Sequence, residues 1–479
     1  MEQAALVINQ QDNVAVALKD IPPILQGHKI ALQDIAAGAH VIKYGHPIGT
    51  ATQDICAGDW VHSHNLKTNL SGILDYSYTP KLTQLTNIEG ETFMGYLRKD
   101  GAVGIRNEIW VINTVGCVNK PAEHIVALSR EQYNNDAIDG IFTFVHPYGC
   151  SQLGDDHLNT QKILKGMVNH PNAAGVLVLG LGCENNTIDS FRAILGDYDP
   201  DRVKFLNAQD CEDEVTEGVR LVGELLNYAS HFIRQPVPVS KLSIGLKCGG
   251  SDGLSGITAN PLAGAVSDKL IAHGGTALLS EVPEMFGAET ILMDRCVNKN
   301  IFNQTIALIN NFKDYFTKHG QQIYENPSPG NKDGGITTLE EKSLGCTQKG
   351  GTSNVVGVLV YGQLPIQSGL NLLNSPGNDI VAITALMASG AHMVLFTTGR
   401  GTPVGAPVPT VKISSNTELA DKKANWIDYN AGSLVEGISM EAMCEDFWKY
   451  LLSIAEGKPT LNEKNNYREI AIFKTGVTL

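Results

Sequence analysis

The sequence predicts a multidomain α/β protein in which a small N-terminal β domain precedes two α/β domains built on parallel sheets. Its 479 residues exceed the size at which one hydrophobic core keeps growing. Apolar strand-like runs alternate with helical segments from residue 109 onward, which is typical of βαβ units. The first 70 residues instead contain short, half-alternating runs preceded by glycine turns.

Composition and charge exclude several classes of protein. Hydrophobic residues make up 43% and charged residues 18%, as in compact globular proteins. The net charge is −14 without a Lys/Arg cluster, so nucleic acid is not an expected partner. No apolar run reaches the roughly 18 residues of a membrane span and no secretion signal opens the chain, so we expect a cytoplasmic protein without a membrane partner. The nine cysteines are expected to be free thiols, metal ligands or core residues rather than disulfides.

The first predicted domain, residues 1–70, contains an internal repeat. "QDIAAGAHVIKYG" begins at Gln33 and "QDICAGDWVHSHN" begins at Gln53, and each copy predicts a turn followed by a strand. On a strand, the spacing of His62 and His64 would place both imidazoles on one face. An ordinary solvated strand end is the alternative. Residues 71–92 are polar without a sustained period, which predicts a linker across the surface.

The second predicted domain, residues 93–236, starts with an Asp-Gly hairpin turn and continues as βαβ units. We predict strands at 109–116, 140–147, 174–181 and 203–207, and helices from Lys120, over 153–169, near 187–195 and from Asp213. Cys117, Cys150 and Cys183 each follow a glycine at the carboxyl end of a predicted strand. Such ends gather at one edge of a parallel sheet, where α/β proteins bind ligands.

The third predicted domain, residues 237–479, repeats this pattern. "LSIGLKC" ends in Cys248, and "TALLSEVPE" contains Glu281 and Glu284 just past a strand. Thiolates on converging loops can hold iron, either as a cluster or as a single ion with carboxylate or imidazole ligands. The alternatives are that each cysteine is a small apolar residue and each acid a favourable charge near a helix N-terminus.

Two cations lie in glycine-rich loops. Arg400, between two glycines, can place its planar guanidinium against a carboxylate. Lys349 offers a point charge, or a base if burial lowers its pKa; for both residues a solvated loop cation is the alternative. "GLGCEN" departs from the dinucleotide-binding fingerprint at its third glycine, which argues against a nicotinamide-linked redox protein. P-loop, Cys-x-x-Cys and His-Glu-x-x-His motifs are absent from the sequence.

A dozen short motifs, in order along nearly the whole chain, together resemble the altronate/galactarate dehydratase family. They are "VIKYGHPIG", "HSHN", "GIRNE", "TVGCVN", "YGCSQLGDD", "GLGCENN", "CGGSDGLSGITANP", "EVPEMFGAE", "ENPSPGN", "SLGCTQKGG", "PGND" and "TGRGTP". The resemblance implies an N-terminal SAF-like β-clip domain and a middle α/β domain used for contacts in a homodimer. It also implies a C-terminal Rossmann-like domain that binds no nicotinamide cofactor.

The same resemblance implies an iron-dependent hydro-lyase that uses Fe2+, with Mn2+ as a substitute. Its expected substrate is D-altronate, dehydrated to 2-dehydro-3-deoxy-D-gluconate in hexuronate breakdown. Galactarate or another sugar acid, an iron–sulfur cluster as cofactor, and a sugar-acid binder without activity remain alternatives.

The expected site residues fall into three groups. The candidate metal ligands are Cys117, Cys150, Cys183, Cys248, Glu281 and Glu284. The candidates for base and acid are Lys349, His62 and His64, and those for substrate contacts are Ser251, Asp252, Asn260 and Arg400. We also expect the N-terminal domain to swing over the α/β edge and bring its histidines to the substrate.

Overall fold

The computed structural model describes residues 4–133, 137–476 and 478. The N-terminal region forms two small antiparallel sheets, of order β1-β2-β3-β6 and β4-β5-β7. The strands are β1 (Ala5–Leu6), β2 (Val14–Ala17), β3 (Lys29–Ala31), β4 (His40–Lys43), β5 (His46–Ala51), β6 (Trp60–Val61) and β7 (Leu66–Lys67). The two repeat copies pair with each other through an antiparallel bridge between Ile35 and Ile55.

One prediction for this region is wrong. Strand β6 ends at Val61, and residues 62–64 form a turn, so His62 and His64 do not share a strand face. His62 is buried and His64 is exposed. The turn forms because the Asn65 side chain accepts a hydrogen bond from the backbone N–H of His62 and donates one to the carbonyl of Trp60.

The predicted linker contains no helix or strand between β7 and the next strand. It crosses the C-terminal region, where the Tyr78 hydroxyl donates to the carbonyl of Cys296 and Lys81 pairs with Asp294. These contacts agree with the predicted path over the surface.

The middle region contains a four-stranded parallel sheet of order β11-β10-β12-β13 and a three-stranded antiparallel sheet of order β14-β8-β9. Its strands are β8 (Thr92–Leu97), β9 (Val103–Gly104), β10 (Glu108–Asn113), β11 (Gly140–Thr143), β12 (Ala173–Gly180), β13 (Val203–Asn207) and β14 (Arg234–Pro238). Its helices are α1 (Asn119–Gln132), α2 (Gly154–Val168), α3 (Ile188–Leu195) and α4 (Glu214–Ala229). The predicted βαβ units and the β8–β9 hairpin are confirmed.

Strands β10 and β11 end three and four residues earlier than predicted. Val115 and Phe144, which extended the apolar runs, are buried, but they lie in the loops beyond the strands. Burial therefore continues where strand pairing has stopped.

The C-terminal region is built on a seven-stranded parallel sheet of order β17-β18-β16-β15-β19-β20-β21. Its strands are β15 (Ser243–Cys248), β16 (Thr276–Leu279), β17 (Val355–Leu359), β18 (Gly369–Leu373), β19 (Met393–Thr398), β20 (Thr410–Ser414) and β21 (Tyr429–Asn430). Its helices are α5 (Ala259–Ala272), α6 (Glu289–Met293), α7 (Lys299–Lys318), α8 (Pro329–Asp333), α9 (Leu339–Cys346), α10 (Asp379–Ala388), α11 (Thr417–Lys422), α12 (Met440–Ala455) and α13 (Leu461–Lys464). The parallel sheet predicted for this region is confirmed.

The two α/β regions share a hydrophobic core. Trp110 of β10 and Leu386 of α10 belong to the same buried cluster. Helices α2 and α10 approach closely because Gly166 has no side chain, and a Cβ there would lie 2.4 Å from the carbonyl oxygen of Ala388. Within the described part of the chain, no helix is both long enough and apolar enough to cross a membrane.

Candidate active site

A compact buried group of two thiols and a carboxylate lies at the carboxyl edge of the C-terminal sheet. Cys248 is the last residue of β15, Glu284 follows β16, and Cys346 ends α9. The two Sγ atoms are 3.2 Å apart, and Oε2 of Glu284 lies 3.3 Å from Sγ of Cys248 and 3.1 Å from Sγ of Cys346. Among the described residues, this is the one His/Cys/Asp/Glu group compact enough to hold a single metal ion.

Glu281 supports this group instead of joining it. Its carboxylate accepts a 2.9 Å hydrogen bond from the backbone N–H of Cys248 and pairs with Lys349 at 3.0 Å and Lys247 at 2.5 Å. Glu281 also has a left-handed backbone, with φ of 69°. Because a non-glycine residue adopts this conformation only at an energetic cost, the surrounding contacts must hold it in place.

Three buried lysines surround the group. The Lys342 ammonium lies 2.9 Å from Oε1 of Glu284, which also accepts a hydrogen bond from Asn326. Burial alone would raise the pKa of Glu284, but the charges of Lys342 and Lys247 outweigh it and hold that pKa well below its usual range. The carboxylate is therefore ionised and can act as a ligand.

The pKa of Lys349 is shifted in the direction opposite to the one that a base requires. Burial opposes its charge, but the neighbouring Cys248 and Glu281 raise the pKa well above its ordinary value. The hydrogen bond between the Cys346 and Cys248 thiols, together with burial, raises the pKa of Cys346. Lys349 is therefore an ammonium at neutral pH and can donate a proton or stabilise negative charge.

The donor set fits a thiophilic divalent ion. Two sulfurs and one carboxylate oxygen suit Fe2+ better than Mn2+, which prefers oxygen ligands. The charges around the group balance, because three buried ammonium groups face three carboxylates, of which Asp379 is partly exposed; they are Lys247, Lys342 and Lys349, and Glu281, Glu284 and Asp379. A divalent ion that replaces two thiol protons would leave this balance unchanged.

A small cavity adjoins the group. It is lined by Ser251, Asn260, Lys342 and Cys346, among other residues. The Ser251 hydroxyl is buried and has no hydrogen-bond partner among the described residues, so it is available to a ligand. Asn260 has no such freedom, because it donates to the carbonyl of Gly345 at 3.0 Å and accepts from Thr397 at 2.5 Å. Asn260 therefore positions the segment that carries Cys346.

An open cleft of about 500 Å³ lies between the N-terminal and C-terminal regions. Asp252 lines both this cleft and the small cavity, so it separates them. Its carboxylate is oriented by hydrogen bonds that it accepts from the Ser415 hydroxyl at 2.8 Å and the Asn416 side-chain amide at 3.0 Å. Arg400 lines the cleft with an exposed side chain, and none of the described residues forms an ion pair with its guanidinium.

His62 of the N-terminal region lies at its contact with residues 333–337. Nδ1 of His62 is 3.1 Å from the hydroxyl of Thr337, and its ring stacks on Trp60 at 5.3 Å. Burial, followed by the charge of Lys29, lowers the pKa of His62 to about 4, so the imidazole is neutral at neutral pH. The exposed ring of His64 lies 5.1 Å from that of Trp60.

Sequence reasoning missed a third histidine in this cluster. His28 accepts a hydrogen bond from the Trp60 indole at 3.1 Å, and its Nε2 lies 3.2 Å from the carbonyl oxygen of Asp333. "GHKIAL" gave no signal for this contact, since it depends on residues 305 positions away.

The N-terminal region is held on the C-terminal region by a buried ion triad. The ammonium groups of Lys29 and Lys43 each lie 2.8 Å from the carboxylate of Glu341. Burial would raise the pKa of Glu341, but the two lysines lower it to about 2. Burial lowers the pKa of Lys29 to about 8 even with Glu341 beside it. The triad therefore places two cations on one carboxylate.

The structure does not bring all six predicted metal ligands together. Cys248 and Glu284 belong to the buried group, and Glu281 lies beside it. Cys117, Cys150 and Cys183 are exposed at the carboxyl edge of the middle sheet. Cys346 was not predicted as a ligand, although it lies in the "SLGCTQKGG" segment that supplied Lys349. All nine cysteines are free thiols.

Comparisons with known proteins match three family models along the chain. Residues 21–69 match the altronate/galactarate dehydratase SAF domain, and residues 95–230 match the second domain of D-galactarate dehydratase/altronate hydrolase. Residues 239–478 match the C-terminal domain of D-galactarate/altronate dehydratase.

Three curated proteins illustrate the similarity. An altronate dehydratase of Escherichia coli is 53% identical, and one of Bacillus subtilis is 52% identical; each alignment covers 98% of this chain and 99% of the relative. A galactarate dehydratase (L-threo-forming) of Escherichia coli is 34% identical over 97% of this chain and 96% of its own length.

Proposed function

Because the chain belongs to the D-galactarate/altronate dehydratase family, we propose that it is a hydro-lyase that converts D-altronate to 2-dehydro-3-deoxy-D-gluconate in hexuronate breakdown. The identity of 52–53% to altronate dehydratases, against 34% to a galactarate dehydratase, favours altronate over galactarate. The observation that carries the chemistry is the buried Cys248–Glu284–Cys346 group beside a cleft that contains an unpaired guanidinium.

The proposed cofactor is Fe2+, with Mn2+ as the weaker substitute, held by Cys248, Glu284 and Cys346. When bound there, the ion would withdraw electron density from substrate oxygens and make the proton beside the carboxylate easier to remove. Glu281 is proposed as a support of the ligands, because its carboxylate oxygens already accept from Lys247, Lys349 and a backbone amide.

The proposed substrate contacts come from both sides of Asp252. Arg400 would bind the sugar-acid carboxylate through its free guanidinium. The unpartnered Ser251 hydroxyl and the oriented Asp252 carboxylate would bind substrate hydroxyls. Asn260 is proposed as a positioning residue, since both ends of its amide form hydrogen bonds within the protein.

Dehydration needs one base and one acid. We assign the base to His62, whose imidazole is neutral at neutral pH, and keep His64 as the alternative. The base takes the C2 proton, and Lys349, held as an ammonium beside Glu281, protonates the C3 hydroxyl as it leaves as water. The resulting enol takes a proton at C3 and becomes the 2-keto acid.

The N-terminal region would have to move for substrate to reach the buried group. In the structure, the Lys29–Glu341–Lys43 triad holds this region against the C-terminal region. We propose that it opens to admit substrate and closes to deliver His62. Removal of residues 1–70 should abolish dehydration while circular dichroism shows the rest folded; an unchanged rate would refute the proposed movement.

Anaerobic loading with Fe2+, followed by a 2-keto-acid assay, tests the function. We expect turnover of altronate, much slower turnover of galactarate, and none after rigorous removal of metal. Undiminished turnover by the demetallated protein would refute the metal dependence, and binding of altronate without turnover would identify a non-catalytic binder. Lys349→Ala should slow water loss; full retention of both water loss and C2-proton exchange would remove Lys349 from the chemistry.

We further propose a cytoplasmic homodimer with the domain division 1–70, 71–92, 93–236 and 237–479, and without nucleic-acid or membrane partners. The separate sheets of the three regions support the division. Val145 and Leu153, exposed by 47% and 51% on the middle region, support a subunit contact there. Sedimentation velocity would detect the dimer.

A further inference from the structure

The carboxyl edge of the middle sheet carries an unusual concentration of thiols. Each of the four parallel strands β11, β10, β12 and β13 is followed by a cysteine: Cys150, Cys117, Cys183 and Cys211 respectively. The first three are exposed, whereas the Cys211 thiol donates to the backbone carbonyls of Asn207 and Ala208. The three exposed cysteines follow strands that are adjacent in the sheet. Neighbouring strands lie about 5 Å apart, so the loops that carry these cysteines begin close together.

Contacts between the loops hold these cysteines at one place. The backbone N–H of Gly116 donates to the carbonyl of Tyr148 at 2.9 Å, which joins the loops of Cys117 and Cys150. The N–H of Asn186 donates to the carbonyl of Gly149 at 3.0 Å, which joins the loops of Cys150 and Cys183. The Thr114 hydroxyl donates to Glu184 at 2.6 Å and links the first loop to the third.

Two glycines allow this close approach. A Cβ at Gly149 would lie 2.0 Å from the carbonyl oxygen of Thr114, and one at Gly116 would lie 2.6 Å from that of His146. Each glycine directly precedes one of the cysteines. The loops that carry Cys117 and Cys150 are therefore packed backbone against backbone.

Helices and polar side chains lie next to the thiols. Helices α1, α2 and α3 begin a few residues after Cys117, Cys150 and Cys183 respectively. The Gln209 amide donates to Sγ of Cys183 at 3.5 Å, and the Ser151 hydroxyl donates to Sγ of Cys150 at 3.9 Å. Hydrogen bonds to sulfur are also a means by which proteins tune metal clusters.

From this arrangement we infer a second metal site, in which Cys117, Cys150 and Cys183 bind three irons of a four-iron iron–sulfur cluster and leave the fourth iron without a protein ligand. Binding replaces three thiol protons with three Fe–S bonds. The site lies on the middle sheet and shares no residue with the Cys248–Glu284–Cys346 group.

The placement of the cysteines after three separate strands favours a cluster over a single ion. A single ion requires its ligand atoms to converge on one point, and the described residues form no such compact group at this edge. A cluster binds each cysteine to a different iron, so its sulfurs stand farther apart. The exposure of all three thiols leaves room for an inorganic group of that size.

The test is anaerobic reconstitution of the full chain with ferric iron, sulfide and excess dithiothreitol, which reduces half of the ferric iron. We expect about four irons and about four sulfides per chain, the charge-transfer absorbance of a four-iron cluster, and a paramagnetic signal after one-electron reduction. Cys117→Ser, Cys150→Ser and Cys183→Ser should each lose most of the absorbance, whereas the exposed-thiol control Cys56→Ser should keep it.

Two further measurements separate this proposal from the proposed function. Cys248→Ser should lose dehydration but keep the cluster absorbance. In the reconstituted wild-type chain, the three thiols should resist alkylation by N-ethylmaleimide, read by mass spectrometry, while Cys56 reacts; this needs no variant. Failure to take up sulfide, or a cluster that survives in the triple serine variant, would overturn the inference.

Discussion

Replacing Glu341 by glutamine should loosen the N-terminal region from the rest of the protein. The carboxylate is buried between Lys29 and Lys43, with both ammonium groups 2.8 Å away. Glutamine keeps the size of the side chain but removes its charge, so two cations lose their counter-ion in a buried contact. Removing one partner of a buried ion pair costs about 3–5 kcal/mol.

A second route gives a similar magnitude. Lys29 can avoid its unpaired charge by losing a proton, and from an ordinary pKa of 10.5 this costs about 5 kcal/mol at pH 7. This cost falls by about 1.4 kcal/mol for each unit by which the pH rises, because the unfolded chain then loses the same lysine proton more readily. The wild-type chain itself gains about half of this between pH 7 and pH 9, because the pKa of its Lys29 is about 8. The variant should therefore be about 1.4 kcal/mol less destabilised at pH 9 than at pH 7.

The assay is pulse proteolysis in urea, which reports opening of the contact and cleavage in residues 71–92. Asp294→Asn is the matched control, since it makes the same kind of change in an exposed ion pair with Lys81 and should cost less than about 1 kcal/mol. Adding Lys29→Met to the Glu341→Gln chain should restore part of the stability. A Glu341→Gln effect no larger than the control's, or one independent of pH, would refute the reasoning.

Four further outcomes are expected. Glu284→Gln should weaken Fe2+ binding by at least tenfold in competition with a chromogenic chelator and lower kcat in parallel, because it removes the ionised ligand. Fe2+ binding by the wild-type chain should release about two protons, measured by calorimetry in buffers of different ionisation enthalpy. Arg400→Lys should raise KM about tenfold with a smaller change in kcat, because lysine cannot form the paired hydrogen bonds of a guanidinium. Burial lowers the pKa of His170 to about 3 and that of His392 to about 4. Between pH 6.5 and 4 the folded chain therefore binds fewer protons than the unfolded chain, and the urea midpoint should fall as the pH drops through this range. The fall should be less steep in His392→Asn.

The sequence predicted the parts of the fold that depend on local patterns. Strand β13 spans residues 203–207 as predicted. The loops after β10 and β11 were predicted as strand, since Val115 and Phe144 are as buried there as strand residues are. Hydrophobic residues indicate that a segment is buried. They do not show whether the buried segment is a strand or a loop.

The candidate site was only partly predictable for the same reason. Cys248 ends one strand and Glu284 follows another, both identified by a local pattern, and adjacent parallel strands bring their ends together. Cys346 ends a helix in which every residue is buried, so α9 shows no polar face by which its orientation could be inferred. The contacts of Lys247 and Lys342 with the acids span 34 and 58 residues of sequence, and no periodicity encodes such pairings.

The charges of the buried site explain how it can fold before it binds a metal ion. Three buried lysines face three carboxylates, so each buried ammonium group has a counter-ion in the protein without metal. Binding of the proposed divalent ion in exchange for two thiol protons would leave this balance unchanged. The lysines of this site therefore pair with its carboxylates, and Arg400, Lys422 and Lys423 are the cations that line the cleft and could bind the carboxylate of the proposed substrate.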